Sequence, residues 1–142
     1  MQTWVDIPCF DGVYTFKLGL AQISELEKKC DAGVGAIYAR TLRGRYGLAD
    51  GDVMPEQGEY RFSELIEVIR QGLIGGKSAR VDGVDVLITS SRANELVTNY
   101  LLDGPERLVM RQTWALAATI LSALIEGYEP PKKAGPGDAP AT

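Results

Sequence analysis

The 142-residue sequence predicts an α+β fold that is mainly α: an N-terminal β-hairpin packed on a bundle of about five short helices. Three observations carry this reading. The turn dipeptide Asp11-Gly12 is flanked by β-branched and aromatic residues, the pattern of a hairpin. Downstream, apolar residues recur at three- and four-residue steps in five separate runs, the rhythm of amphipathic helices. The balance of 45% hydrophobic to 24% charged residues is that of a chain able to bury a core.

The hairpin comes first, with Trp4-Val5-Asp6-Ile7 as one strand and Val13-Tyr14-Thr15-Phe16-Lys17-Leu18 as the other. Pro8 has no amide hydrogen, so the first strand is an edge or ends there. A lone two-stranded ribbon is marginal in water and must lie against helices. Leu20, Ile23 and Leu26 mark the first helix, stopped near Gly33, and Val34, Ile37, Tyr38 and Leu42 mark the second, closed by Gly44 and Gly47. Gly47 to Gly58 reads as a loop. Phe62, Leu65, Ile66, Ile69 and Leu73 give a third helix from about Arg61 to Ile74 that breaks at Gly75-Gly76. Val81-Asp82-Gly83-Val84-Asp85-Val86 suggests a second small hairpin with valines facing one way and aspartates the other. Thr89-Ser90-Ser91 supplies an N-cap, and Ala93, Leu96, Val97, Tyr100 and Leu101 form the buried stripe of the fourth helix. Asp103-Gly104-Pro105 ends it. The fifth helix is expected from Pro105, a favoured first-turn residue, to about Gly127, and its apolar residues reach so far around that it reads as the central helix. Residues 1–128 are thus expected to form one globular domain, with a flexible Pro/Gly/Ala-rich tail over 129–142.

Motifs that carry chemistry are mostly missing. The chain has no histidine, which removes the usual general base, the commonest zinc ligand and the Ser-His-Asp arrangement together. The expectation is that the protein is not an enzyme and has no catalytic residues, no bound metal and no cofactor. Gly72-Leu73-Ile74-Gly75-Gly76-Lys77-Ser78 approaches a phosphate-cradling loop, but Gln71 stands where a glycine is needed and a helix precedes it where a strand should. A glycine-rich helix stop that lets two helices pack closely explains it better. Cys9 and Cys30 are too far apart for a CxxC motif and read as reduced, structural thiols. Arg40, Arg43 and Arg45 complement the dipole of the second helix or form a small docking patch. Asp50, Asp52, Glu56 and Glu59 lack the alternation of a calcium loop. Trp4, Tyr14, Phe16, Trp114 and Tyr128 are core aromatics or anchors of an interface. A net charge of -4 and the lack of an apolar run of roughly 20 residues argue against nucleic acid and membrane as partners, and no secretory signal is visible, so a cytoplasmic location is expected.

The order of these parts carries a resemblance. A hairpin with Tyr14-Thr15-Phe16-Lys17-Leu18 is followed by Leu20-Ala21-Gln22-Ile23-Ser24-Glu25-Leu26-Glu27, then by Val68-Ile69-Arg70-Gln71-Gly72-Leu73-Ile74-Gly75-Gly76, Ala93-Asn94-Glu95-Leu96-Val97-Thr98-Asn99-Tyr100 and an alanine-rich last helix. From roughly Ile7 to Gly127 this resembles the gene transfer agent family of small phage tail proteins, the short products encoded between the tail tube and the tape measure. The resemblance implies a non-enzymatic tail assembly chaperone that binds the tape measure protein and assists tail tube assembly through the tube subunits. The alternative is a structural tail protein, tube or tube-associated, of a prophage or gene transfer agent. Such a tube subunit, built on a β-sandwich and barrel, should show more strands than this sequence does. Helix-in-groove binding is the expected mode, with Gly72, Gly75, Gly76, Tyr100 and Trp114 as the expected protein-binding residues. Close packing inside the core would use the same five. A homo-oligomer is also expected, with the last helix and its Leu121 as the seam.

Overall fold

The computed structural model describes residues 1–43 and 60–131. The expected loop from Gly47 to Gly58 and most of the expected tail lie outside the described residues.

Strands β1 (Trp4–Cys9) and β2 (Gly12–Lys17) form the N-terminal hairpin. Cys9 pairs with Gly12, so the connecting residues are Phe10 and Asp11, one position earlier than the dipeptide suggested. Phe10 takes the left-handed backbone angle, φ 57°. Gly12 is fixed for another reason: a Cβ there would overlap the carbonyl oxygen of Arg80 on the neighbouring strand.

The second hairpin is present as β3 (Ser78–Val81) and β4 (Val84–Leu87). Its turn residues Asp82 and Gly83 both have positive φ, 51° and 75°, as a tight two-residue connection matched to strand twist demands. The expected segregation holds too: Val81 pairs with Val84 and Ala79 with Val86 on one face, while Arg80 pairs with Asp85 on the other. The sequence offers no hint of what joins the hairpins. β2 pairs with β3 through Val13–Arg80 and Tyr14–Ala79, making one four-stranded antiparallel sheet in chain order.

Among the described residues five α-helices complete the mainly α architecture: α1 (Leu20–Cys30), α2 (Val34–Arg43), α3 (Phe62–Gly76), α4 (Ser90–Val97) and α5 (Met110–Glu126). A π-helical turn over Thr98–Leu102 extends α4. Two boundaries differ from expectation. The glycines Gly75 and Gly76 lie inside the last turn of α3, and the helix stops at Lys77, in the left-handed region at φ 64° with its N–H donating to the Leu73 carbonyl at 3.1 Å. The fifth helix starts at Met110 instead of Pro105. Pro105 sits in a turn closed by Arg107 N–H to Gly104 O at 3.2 Å, and Leu108 N–H then reaches back to Tyr100 O at 2.8 Å. Only at Val109 is the chain free to enter a helix, where the Gln112 side chain accepts from the Val109 N–H at 3.2 Å.

The core lies between the sheet and the helices. Val5, Tyr14, Phe16 and Ala79 point inward from the strands and meet Leu65, Val68, Ile69 and Leu73 of α3 with Leu116, Ile120 and Leu121 of α5. The element with neighbours on most sides is α3, which packs on β2, α1, α4 and α5. This corrects the expectation that α5 is central. Ala115 of α5 is exposed and Ala118 half-buried, so part of the alanine content that widened the apolar arc in the sequence faces outward.

Candidate protein interface

The five expected contact residues fall in three separate places. Gly72, Gly75 and Gly76 line the face of α3 that meets β2. A Cβ at Gly75 would overlap the Lys17 carbonyl oxygen, one at Gly76 the Thr15 carbonyl oxygen, and one at Gly72 would sit 3.1 Å from Phe16 Cδ1 and 3.4 Å from Ile120 Cγ2. These glycines let a helix lie directly on a strand backbone. The segment runs from helix to strand, the reverse of a phosphate-cradling loop.

Tyr100 stacks on Phe10 at the hairpin tip, ring centroids 4.7 Å apart, and Phe10 meets Tyr14 edge-on at 5.4 Å. The Tyr14 hydroxyl donates to the Asp11 carboxylate, which also lies 3.9 Å from Arg92. Burial, then the hydrogen bond to Asp11, hold the Tyr14 phenol well above its usual range. Beside it, burial and the charge of Asp11 push the Cys9 thiol up to about 12. Burial and then Glu64 raise the Cys30 thiol as well. Neither cysteine is in a disulfide, and thiols so disfavoured as thiolates are poor nucleophiles, in keeping with a packing role.

Trp114 is fixed by its indole N–H, which donates to the Thr41 carbonyl at 2.8 Å. That carbonyl belongs to the last turn of α2, so the indole ties α5 to α2. An open cleft of about 320 Å³ lies alongside, lined by Tyr38, Leu42, Trp114, Ala118 and Tyr128 among others. A second cleft of about 300 Å³, lined by Ile7, Pro8, Phe10, Leu108 and Gln112, lies on the other side of α5, and Ala115 and Thr119 line both.

The basic cluster is partly used up inside the fold. Arg40 grips Glu64 with two hydrogen bonds, Nε to Oε1 at 3.1 Å and Nη2 to Oε2 at 2.5 Å, tying α2 to α3. The Glu64 side chain is only 3% exposed, so the pair is structural. Arg45 and the four acidic loop residues lie outside the described residues.

Another open surface, with exposed apolar side chains, surrounds the start of α3. A cleft of about 560 Å³, lined by Lys29, Arg61, Phe62, Ile66 and Leu102 with Glu64 and Glu67, meets another of about 360 Å³, lined by Phe62, Arg107, Leu108, Val109 and Met110. Val109 is 65% exposed, Leu102 38% and Met110 36%. Lys29, Arg61 and Arg107 stand at the edges. Sequence reading missed this patch because it assigned Leu108, Val109 and Met110 to the interior of a helix. The available signal was three consecutive apolar residues, a run that no single helix face can bury whole.

Among the described residues no group of His, Cys, Asp or Glu is placed to hold a metal ion, and no helix is long and apolar enough to cross a membrane. The protein is thus a set of helices packed on a four-stranded sheet with open clefts on its surface, and its likeness lies with tail proteins of phages and gene transfer agents. Residues 5–53, a stretch that takes in most of the first hairpin with α1 and α2, match the family model described as "Phage tail tube protein, GTA-gp10". The match bears out the resemblance to the gene transfer agent and phage tail family over that stretch. No curated protein and no solved structure matches the chain.

Proposed function

We propose that the protein is a non-enzymatic tail assembly chaperone that binds the tape measure protein and assists tail tube assembly in the bacterial cytoplasm. The observation that supports this most is the apolar surface around Phe62. Val109, Met110 and Leu102 leave large side chains in water at the junction of two clefts, and exposed patches of this kind mark partner sites. A groove that sets Phe62, Ile66, Leu102, Val109 and Met110 beside charges of both signs, with Lys29 near Glu67 and Arg61 near Glu64, suits an amphipathic helix, the segment type expected of a long helical tape measure. Trp114 lies one turn beyond Met110 on α5 and is the expected contact residue with an open cleft beside it. Gly72, Gly75, Gly76 and Tyr100 serve the same binding by holding α3 and the hairpin tip in place.

The second reading is a structural tail protein, tube or tube-associated, and the wording of the matching family favours it. Strand content favours the chaperone: the strands of the described residues make a single four-stranded sheet, where a tube subunit needs a sandwich or barrel. Co-expression with the tape measure protein, followed by affinity capture and a solubility comparison, separates the two. The chaperone reading expects the tape measure to become soluble and to co-purify, and Val109→Asp or Met110→Asp to abolish capture with the thermal melt unchanged. An insoluble, uncaptured tape measure beside assembly with tube subunits would hand the protein to the structural reading.

A further inference from the structure

The sheet has two outer strands, and they are finished differently. In β1 the hydrogen-bonded pairs alternate from Cys9–Gly12 at the turn, so the backbone groups of Trp4, Asp6 and Pro8 face away from β2. Pro8 has no N–H to offer, and the Gln2 side chain donates to the Trp4 carbonyl at 2.8 Å. An edge finished in this way resists further pairing. β4 has neither device. Val84 and Val86 bond to β3, and Ile88 N–H continues that ladder to Lys77 O at 2.8 Å. The N–H and C=O groups of Asp85 and Leu87 therefore face outward, where among the described residues nothing meets them. All four side chains of β4 are exposed. Val84 and Val86 lie on the sheet face that carries the helices, yet they are 63% and 36% exposed, so the helices leave that flank uncovered.

The occupant of such an edge is an extended strand, and the side chains narrow it to one with the pattern of β4 itself. Asp85, the one ionisable residue of β4, is held by Arg80 at 3.6 Å, so the edge offers no net charge to a charged segment. An identical strand, antiparallel about a two-fold axis through Val86, matches it. Asp85 then pairs with Leu87 of the second copy, and Leu87 with Asp85 of the second copy, which uses all the outward backbone groups of both residues. On the helix-bearing face Val86 meets Val86 and Val84 meets Ile88, apolar against apolar. On the other face each Asp85 lies beside a leucine. Placing the axis at Asp85 instead would set the two carboxylates directly opposite each other, which like charges disfavour.

We infer that the protein forms a two-fold homodimer by pairing β4 with β4 of a second copy, so that the two four-stranded sheets become one continuous antiparallel sheet. Leu121, the seam residue expected from the sequence, is fully buried within each copy and takes no part. Phe62 opens α3 at the end away from β3, so the surface around it stays free. Two paired four-residue strands bury less than the roughly 1,200 Å² of a stable interface, and association therefore belongs at high protein concentration.

Sedimentation velocity of the full chain from about 10 µM to about 1 mM, roughly the span over which such weak pairs form, should show a monomer passing into a dimer. Leu87→Pro removes an outward N–H and leaves the ladder to β3 intact, as Pro8 does in β1. It should raise the dissociation constant more than about tenfold with an unchanged circular dichroism spectrum. A second pair of variants reads the axis itself. Val86→Lys sets two ammonium groups against each other and Val86→Glu two carboxylates, so each variant should stay monomeric alone and an equimolar mixture of the two should associate. A wild-type chain that is monomeric at every concentration, a dimer indifferent to Leu87→Pro and to Val86→Lys, or a mixture that fails to associate would overturn the inference.

Discussion

Gly76 has no room for a side chain, because the Thr15 carbonyl lies where its Cβ would be. Relieving that overlap means lifting the end of α3 off β2, so Gly76→Ala should cost more than about 3 kcal/mol, read as a lower urea midpoint. The exposed Gly35, with nothing near its missing Cβ, is the control, and Gly35→Ala in the first turn of α2 should be neutral or stabilising. Cys9 carries a different signature. With its folded thiol raised to about 12 from an ordinary 9.0, the unfolded thiol ionises first as pH rises. The unfolded state then binds fewer protons than the folded one, so stability is intact below about pH 9 and falls between there and about 12. Cys9→Ala should flatten that loss, measured as urea midpoints at pH 7.5, 9 and 10.5. An unchanged slope would mean that the thiol sits in water.

At the scale of elements, polar ties join α2 to α3 and to α5. Arg40 binds the buried Glu64 of α3, and the Trp114 indole binds the Thr41 carbonyl. Arg40→Ala leaves a buried carboxylate facing the exposed Arg61 at 4.0 Å, and should cost about 2–4 kcal/mol. Replacing both partners, Arg40→Met with Glu64→Leu, should recover most of that loss, because a buried pair contributes little beyond what an apolar pair of similar size would. Elements such as these were the legible part of the sequence. All five helices announce themselves by periodicity, and the Asp82-Gly83 turn by its demand for positive φ. Pairings between distant segments were not legible. Nothing in Val13-Tyr14 or Ala79-Arg80 specifies that β2 and β3 are neighbours, since a strand's pattern fixes which face is apolar and not which strand lies alongside. The start of α5 was misread for a related reason: Pro105 suits both a helix's first turn and the second position of a β-turn, and a hydrogen bond to Tyr100, five residues before it, decides between them. The five expected contact residues are small or aromatic, properties that the core needs as much as an interface does. The apolar surface around Phe62 became visible only once Val109 was known to stand outside a helix.

For the molecule as a whole, the question is where the cooperative unit ends. The sheet runs through both hairpins, α3 joins it to the other helices, and the two ends of the described fold meet. Tyr128 N–H donates to the Gln2 carbonyl at 2.8 Å, forming a bridge just beyond α5 and just before β1. That bond closes the layer of helices onto the edge of the sheet. Beyond it, Glu129, Pro130 and Pro131 are exposed. The described part of the segment beyond Tyr128 makes no buried contact, so a chain ending at Tyr128 should unfold in one transition within about 1 °C of the full-length protein. A chain ending one residue earlier, at Gly127, loses the bridge and the aromatic ring that lines the α2–α5 cleft. Forfeiting about 1–2 kcal/mol of hydrogen bond and burial would lower its midpoint by roughly 4–8 °C for a domain of this size. Scanning calorimetry on the three lengths decides the matter. If truncation after Tyr128 already lowers the midpoint, the domain extends into the C-terminal segment, and the expected boundary at 128 is too early.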